Sequence, residues 1–167
     1  MSATKNYTLC SILVALGIVL GYVESLFPSF IYGLKIGFSN LVVIYAVYNL
    51  KKETAYFTGI LKAILSGLLF SGVMSIAFSL FGILFSITLM LILREKNEFF
   101  SEIGVSLAGS VIFQLGQCIV ASIFMKSFTP IYYLPYLSLG AIPCGIISGL
   151  IVKLFHNRVS VKGEINE

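Results

Sequence analysis

A run without a single charged residue, residues 63–93, constrains this chain more than any other feature of the sequence. One membrane-spanning helix needs about 20 apolar residues, so the run is too long for one ordinary span. Ser66-Gly67 and Ser71-Gly72 offer a tight reversal within it. We therefore predict two spans here, joined by a short loop near residues 71–73.

The composition makes the lipid bilayer the natural solvent of the chain. Hydrophobic residues make up 58% and charged residues 11% of the sequence, and the mean hydropathy is +1.01. A soluble domain carries roughly 25% charged residues, so this chain cannot cover itself with a solvated surface. We predict an all-α integral membrane bundle that forms one transmembrane domain over residues 1–167. The six expected spans cover about residues 7–26, 36–50, 54–71, 74–93, 102–125 and 133–154.

The first span has a cleaved signal peptide as its alternative interpretation. Residues 6–23 carry no charge and are long enough to cross the hydrocarbon layer. Only Lys5 forms a basic region before them, and no small-x-small cleavage site follows. We therefore expect this helix to be retained.

The cations between and beyond the expected spans are divided unequally between the two sides of the membrane. One side would carry Lys35 and Lys126. The other would carry Lys5, Lys51, Lys52, Arg94, Lys96, Lys153, Arg158 and Lys162. Because the side richer in lysine and arginine is the cytoplasmic side, we predict a cell-membrane protein with both termini in the cytoplasm. The segment around Lys35 would then face outward.

Several classes of function are disfavoured by what the sequence lacks. It has no G-x-x-x-x-G-K-[ST] loop, so any ATP-driven work must come from a partner. The net charge of +4 arises at the ends of apolar runs rather than on one patch, and no nucleic-acid partner is expected. Cys10, Cys118 and Cys144 lie in apolar sequence without CxxC spacing, and we expect neither a metal, a cofactor nor a disulfide there.

Polar residues within or beside the apolar spans are the candidate substrate-binding residues. They are Glu24, Lys35, Asn40, Lys62, Gln114 and Gln117. A lysine near the middle of a span costs about 2.5–3.5 kcal/mol on insertion scales, so Lys62 should face a polar cavity or a partner. Snorkelling or a helix-pairing role is the alternative. Gln114 and Gln117 need hydrogen-bond partners there, which neighbouring helices can supply as well as a substrate.

The segment Gly33–Asn40 concentrates polar and flexible residues at the mouth of the second span. Its glycines let the backbone approach a ligand or a helix closely. Lys35 supplies a positive charge, and Ser39 and Asn40 supply hydrogen-bonding groups at a possible helix start. The segment is interpreted as a binding loop, with an ordinary loop and helix cap as the alternative.

A resemblance to a known family rests on motifs that follow one another in order. They are Val23-Glu24-Ser25, Gly33–Asn40, Lys62, Ser79–Ser86, Gly109–Gln117 and Leu134–Leu137. In this order the chain resembles, over about residues 8–155, the Gx transporter family, whose members are also labelled heptaprenyl diphosphate synthase component I. That family is similar to the substrate-binding S components of energy-coupling-factor (ECF) vitamin transporters. The resemblance implies six helices with a ligand pocket toward the outer face.

The chain departs from the family pattern at two positions. Phe113-Gln114 stands where members often have His-Asn, which removes an imidazole from any proton-transfer role. Lys62 stands where an arginine is common, which keeps the charge but loses the bidentate guanidinium fork.

Three functions follow from the residues and the resemblance. The first is an S-component-like subunit that binds a small cofactor- or vitamin-like molecule and works with an ECF transmembrane coupling subunit and ATPases. The small residues Ser11, Ala15, Gly17 and Gly21 of the first span would then form the docking surface, since small residues let helices pack closely. The second is a membrane component of heptaprenyl diphosphate synthase. It would be non-catalytic, because the chain contains no aspartate for the Mg²⁺ sites of prenyl synthases. The third is a membrane anchor of a flavin- or quinone-linked redox assembly.

Overall fold

A computed structural model describes residues 3–26, 39–95 and 100–164, with side chains from Asn6 to Leu154. These residues form helices, and no strand occurs among them. Their bounds are α1 Ala3–Ser25, α2 Asn40–Asn49, α3 Lys52–Ser66, α4 Gly72–Arg94, α5 Glu102–Met125, α6 Thr129–Tyr132 and α7 Leu134–Glu164. A π-helical turn, Gly67–Ser71, joins α3 to α4.

Four helical stretches of the described residues are long and apolar enough to cross a membrane. They are Asn6–Ser25, Lys52–Arg94, Glu102–Met125 and Leu134–Leu154. The second has 43 residues and folds back on itself, and the shorter α2 adds a further apolar segment. The predicted all-α membrane bundle is therefore confirmed. We call the end that carries Lys51, Lys52 and Arg94 the basic end, and the opposite end, with Ser25 and Lys126, the far end.

The α3–α4 hairpin reverses where the uncharged run contains its serine–glycine pairs. Gly72 has a φ of +79°, a conformation that glycine adopts without steric cost. Beyond the turn the two helices lie antiparallel. A methyl group built on Gly59 of α3 would lie 2.7 Å from the side chain of Ile83 on α4. Glycine at this position therefore lets the two helices approach closely.

The short helix α2 lies in the centre of the bundle. Val42, Val43, Ile44, Ala46 and Val47 have no exposed surface, and α2 packs against α1, α3, α4, α5 and α7. A helix that is apolar on every side is typical of a buried position. Its ten residues span about 15 Å, roughly half the hydrocarbon thickness. Because its C-terminus is at the basic end, its first residue, Asn40, lies inside the bundle.

Polar contacts fasten the helix ends at the basic end. The guanidinium of Arg94 donates to the backbone oxygen of Val47 and lies 5.5 Å from the ring centre of Tyr48. Lys52 and Glu95 form an exposed ion pair, and this hydrogen bond and charge lower the pKa of Glu95. The Arg94 contacts join α4 to the C-terminal end of α2, which fixes the depth of α2 in the bundle.

Glycines and serines allow α4, α5 and α7 to pack closely. A methyl group built on Gly82 of α4 would lie 2.8 Å from the backbone oxygen of Phe113 on α5. Ser106 of α5 donates a 2.6 Å hydrogen bond to the backbone oxygen of Gly145 on α7. Small residues and hydroxyl-to-carbonyl bonds commonly join membrane helices, because apolar side chains gain little over lipid.

The crossing of α5 and α7 gives a prediction about stability. A methyl group built on Gly149 would lie 2.7 Å from Cα of Ile103, whereas one on Gly104 would meet only the Ser101 hydroxyl, at 3.5 Å. Gly149→Ala should therefore force α7 away from α5 and lower the melting temperature of the detergent-purified protein. Gly104→Ala is the matched control and should leave it unchanged or raise it, since alanine favours helix by about 1 kcal/mol. Equal melting temperatures would contradict this packing.

Candidate functional site

Five of the six predicted binding residues are buried within the bundle. Gln114 and Gln117 have no exposed surface, Asn40 is 1% exposed, and Glu24 and Lys62 are each 4% exposed. They come from α1, α2, α3 and α5. The sixth residue, Lys35, lies outside the described residues, as does the segment from Gly33 to Phe38. Polar groups at such depth persist in membrane helices when they are paired or serve a function.

The α1–α3 interface fixes the depth of Lys62. The two helices run parallel, and Cys10 lies 3.1 Å from the Thr58 hydroxyl near the basic end. Farther along, methyl groups built on Gly17 and Gly21 would lie 2.8 Å from Cγ of Lys62 and 2.5 Å from the Ser66 hydroxyl. The aliphatic stem of Lys62 therefore lies in the space left by Gly17.

The contacts of Gly59 define which residues share the depth of Lys62. A methyl group on Gly59 would lie 2.7 Å from Ile83 of α4 and 3.9 Å from Val43 of α2. One helical turn from these positions toward the far end lie Lys62 on α3, Asn40 on α2 and Ser79 on α4. These three polar residues therefore lie at one level of the bundle.

Helix α5 adds Gln117 at this level and Gln114 about one turn nearer the basic end. A methyl group on Gly116 would lie 2.9 Å from Cα of Gly82, so the two helices touch there. Gln114 and Gln117 flank this crossing, and Ser79 lies one turn from Gly82. We call Asn40, Lys62, Ser79, Gln114 and Gln117 the polar layer.

Glu24 lies closer to the far end than the polar layer. It comes one turn after Gly21, and its Oε2 accepts a 3.1 Å hydrogen bond from the Ser39 hydroxyl. Both side chains are buried. The bond ties the end of α1 to the start of α2, next to Asn40. Glu24 therefore lies between the far end and the polar layer.

The proposed docking residues on α1 divide between two faces. Ser11 and Ala15 are exposed toward the membrane. Gly17 and Gly21 are buried against α3 of the same chain, where Lys62 and Ser66 fill the space beside them. A partner helix could therefore reach only Ser11 and Ala15.

The structure adds buried serines that were not among the predicted site residues. Ser39, Ser66, Ser75 and Ser79 are all buried in the far half of the bundle. On α4, Ser75, Ser79 and Ser86 recur at intervals of four and seven residues, which places them on one helix face. That spacing is the signal that could have identified the buried serines of α4. Ser86 serves packing, since its hydroxyl donates to the backbone oxygen of Gly109 at 2.8 Å.

Glu24 and the residues of the polar layer differ in how their hydrogen bonds are satisfied. Glu24, Lys62, Gln114 and Gln117 each have contacts within the protein. Within the described residues, neither Nδ2 nor Oδ1 of Asn40 has a hydrogen-bond partner, and the same is true of the Ser79 hydroxyl. A buried polar atom without a partner costs about 1–3 kcal/mol. Asn40 and Ser79 thus have unused hydrogen-bonding capacity inside the bundle.

The polar layer combines one charged group with neutral hydrogen-bonding groups. It contains one ammonium group, three amides and a hydroxyl, which are able to form an ion pair and hydrogen bonds. Among the described residues, no group of three histidine, cysteine, aspartate or glutamate side chains could hold a metal ion.

The helical bundle and its buried polar residues define this chain as a multi-pass membrane protein. Residues 13–155 match the sequence profile of the family described as heptaprenyl diphosphate synthase component I, and the chain belongs to that family. No curated protein and no solved structure matches it.

Proposed function

We propose that this protein is the substrate-binding subunit of an ECF-type uptake transporter for a small cofactor- or vitamin-like molecule. The observation that carries the proposal is the polar layer, in which α2, α3 and α5 contribute charged or amide groups and α4 contributes a hydroxyl within about one helical turn of one another. The ligand would enter from the far end past Glu24 and meet Lys62, Asn40, Gln114 and Gln117. Lys35, at the mouth of the second span, would help to frame that entrance.

A binding role explains the polar layer better than a packing role. Serine-to-carbonyl bonds and glycine contacts already join the helices. A bundle stabilised by packing alone would gain from apolar residues at these positions, because buried polar groups are costly unless they are paired. A bound ligand with complementary groups would supply hydrogen bonds to Asn40 and Ser79 and so offset the free-energy cost of burying their unpartnered polar atoms.

Transport would require a partner that supplies energy, because the sequence contains no phosphate-binding loop for ATP. The exposed face of α1, with Ser11 and Ala15 beside Ile12 and Leu16, is the proposed docking surface for the coupling subunit. Small residues there would let a partner helix approach closely.

Bulk placed on this face of α1 should weaken partner binding without unfolding the protein. Ala15 is exposed, so leucine at this position would extend into the membrane and into any helix docked there. We expect Ala15→Leu to reduce co-purification of the coupling subunit while the protein remains monodisperse. Val73→Phe adds bulk to α4 at a side chain that is 77% exposed, and it serves as the control. Equal recovery from all three proteins would exclude this face as the docking surface.

The proposed orientation places the far end outside the cell. Cys10, Cys118 and Cys144 are buried, so the background of thiol labelling should be low. In intact cells, a membrane-impermeant maleimide should label Ser127→Cys, at the far end, and should leave Glu95→Cys, at the basic end, unlabelled until the cells are opened. Labelling of Glu95→Cys from outside would overturn the orientation and the outward-facing entrance.

The family description favours a second candidate, a non-catalytic membrane component of heptaprenyl diphosphate synthase. An apolar groove of about 260 Å³ runs along the outer surface of α4 and α5, lined by residues that include Phe85, Leu89, Ile92, Leu115 and Ile119. Such a groove is suited to part of a prenyl chain. In this role the protein would hold a lipid-linked substrate for a soluble catalytic subunit.

The partner distinguishes the two candidates. The tagged protein is cross-linked in its native membrane and purified, and its partners are identified by mass spectrometry. Recovery of a transmembrane coupling protein with ATPases supports the uptake proposal. Recovery of an aspartate-rich prenyl synthase subunit in their place supports the second candidate and overturns the first.

A further inference from the structure

Among the described residues, Asn40 and Ser79 carry unpartnered hydrogen-bonding atoms within the polar layer. Both are at least nine-tenths buried, at 1% and 4% exposed. Within the described part of the chain, three of their polar atoms have no hydrogen-bond partner: Nδ2 and Oδ1 of Asn40 and Oγ of Ser79. The two residues lie on helices that run in the same direction, α2 and α4, at one level.

The two unpartnered atoms of Asn40 differ in what they need. Nδ2 is a donor and requires an acceptor, and Oδ1 is an acceptor and requires a donor. A carboxylate or phosphate would satisfy Nδ2 and repel Oδ1, and an ammonium group would do the reverse. A group that carries N–H and C=O side by side satisfies both. The hydroxyl of Ser79 can donate or accept, so it adapts to either atom of such a group.

We infer that the ligand presents a neutral edge with an adjacent N–H and C=O, as in a lactam, an imide or a primary amide, to Asn40 and Ser79. The inference rests on the proposed binding function and adds the chemical class of the group that is recognised. Lys62 and Glu24 would meet other parts of the ligand. A site built to hydrogen-bond an N–H rejects the analogue that lacks it, because its own buried groups are then left unpaired.

Matched fragments test this inference with the intact protein in lipid nanodiscs. The probes are 2-pyridone, uracil and nicotinamide, each paired with an analogue in which every N–H is methylated: N-methyl-2-pyridone, 1,3-dimethyluracil and N,N-dimethylnicotinamide. Saturation-transfer NMR measures the dissociation constant of each fragment. For at least one pair we expect binding of the parent to be roughly tenfold tighter than that of the methylated analogue, the size expected for a lost hydrogen bond.

Variants assign that preference to the two residues. Asn40→Leu should remove the preference, and Ser79→Ala should reduce it several-fold. Ser79→Ala changes one atom, so it decides the question if Asn40→Leu does not fold. Asn49→Ala, at the opposite end of α2, is the control and should retain the preference.

Each remaining outcome decides against the inference. Equal binding of parent and methylated fragments overturns the inference and leaves a binding site of another chemistry. A preference for the parent fragment that persists in both variants also overturns the inference, because Asn40 and Ser79 are then not its source. If no fragment binds but a native small molecule is recovered from the purified protein, the inference fails and the binding function stands. If no fragment binds and no native small molecule is recovered, the inference and the proposed binding function both fail.

Discussion

Gly17→Leu should nearly abolish the folded protein, whereas Ala15→Leu, two residues away on the same helix, should leave it intact. Gly17 is buried against α3, where even a methyl group would lie 2.8 Å from Cγ of Lys62. Leucine cannot fit there unless Lys62 is displaced or α1 separates from α3. Overpacking of a tight core typically costs 1–3 kcal/mol, and a displaced buried ammonium group adds to that.

The measurement is fluorescence-detected size-exclusion chromatography of each variant in detergent, followed by its melting temperature. Gly17→Leu should lose most of the monodisperse peak, and Ala15→Leu should match the wild type. If Gly17→Leu gives a normal peak with an unchanged melting temperature, α1 does not pack on α3 as described. That result would also remove Lys62 from its place in the polar layer.

Lys62→Met should weaken ligand binding by about tenfold to a hundredfold. Methionine keeps most of the aliphatic stem beside Gly17 and removes the charge. A charge-assisted hydrogen bond is worth roughly 1.5–3 kcal/mol, which corresponds to that range of affinity. Membrane insertion should become easier at the same time, because a lysine in the middle of a span opposes it.

Lys153→Met is the control for this substitution, since Lys153 is an exposed lysine on α7 at the basic end. Isothermal titration with the co-purifying molecule compares the wild type with both variants. An unchanged affinity for Lys62→Met, together with a higher melting temperature, would make Lys62 a structural residue. The binding site would then be sought around Asn40, Gln114 and Gln117.

The fold class could be predicted from the sequence because charge is absent over long stretches. Residues 63–93 are expected to lie within the membrane, and their length alone requires a reversal. The family could be recognised because its motifs are spread in order along the chain. The match of residues 13–155 to the profile of the family described as heptaprenyl diphosphate synthase component I confirms it. The polar candidates stood out because each is an exception in apolar sequence.

The helix faces could not be predicted in the same way. The spacing of Gly17 and Gly21 indicates close packing but does not say whether the neighbouring helix belongs to the same chain. Nothing in the sequence places α2 in the centre, since a short apolar segment can equally be a span that tilts little or is extended by its loop. Ser79 is one of several serines in apolar sequence. It became a candidate site residue only because the structure shows it buried and at the same level as Asn40.

The central claim is that the polar layer holds a small molecule, and the most direct measurement identifies what the purified protein carries. Wild-type protein, Lys62→Met and Lys153→Met are purified in mild detergent, denatured in methanol and analysed by quantitative mass spectrometry. We expect one compound near equimolar amount in the wild type and in Lys153→Met, and strongly reduced in Lys62→Met. Equal amounts in all three proteins, or no compound above the detergent background in the wild type, would contradict the claim.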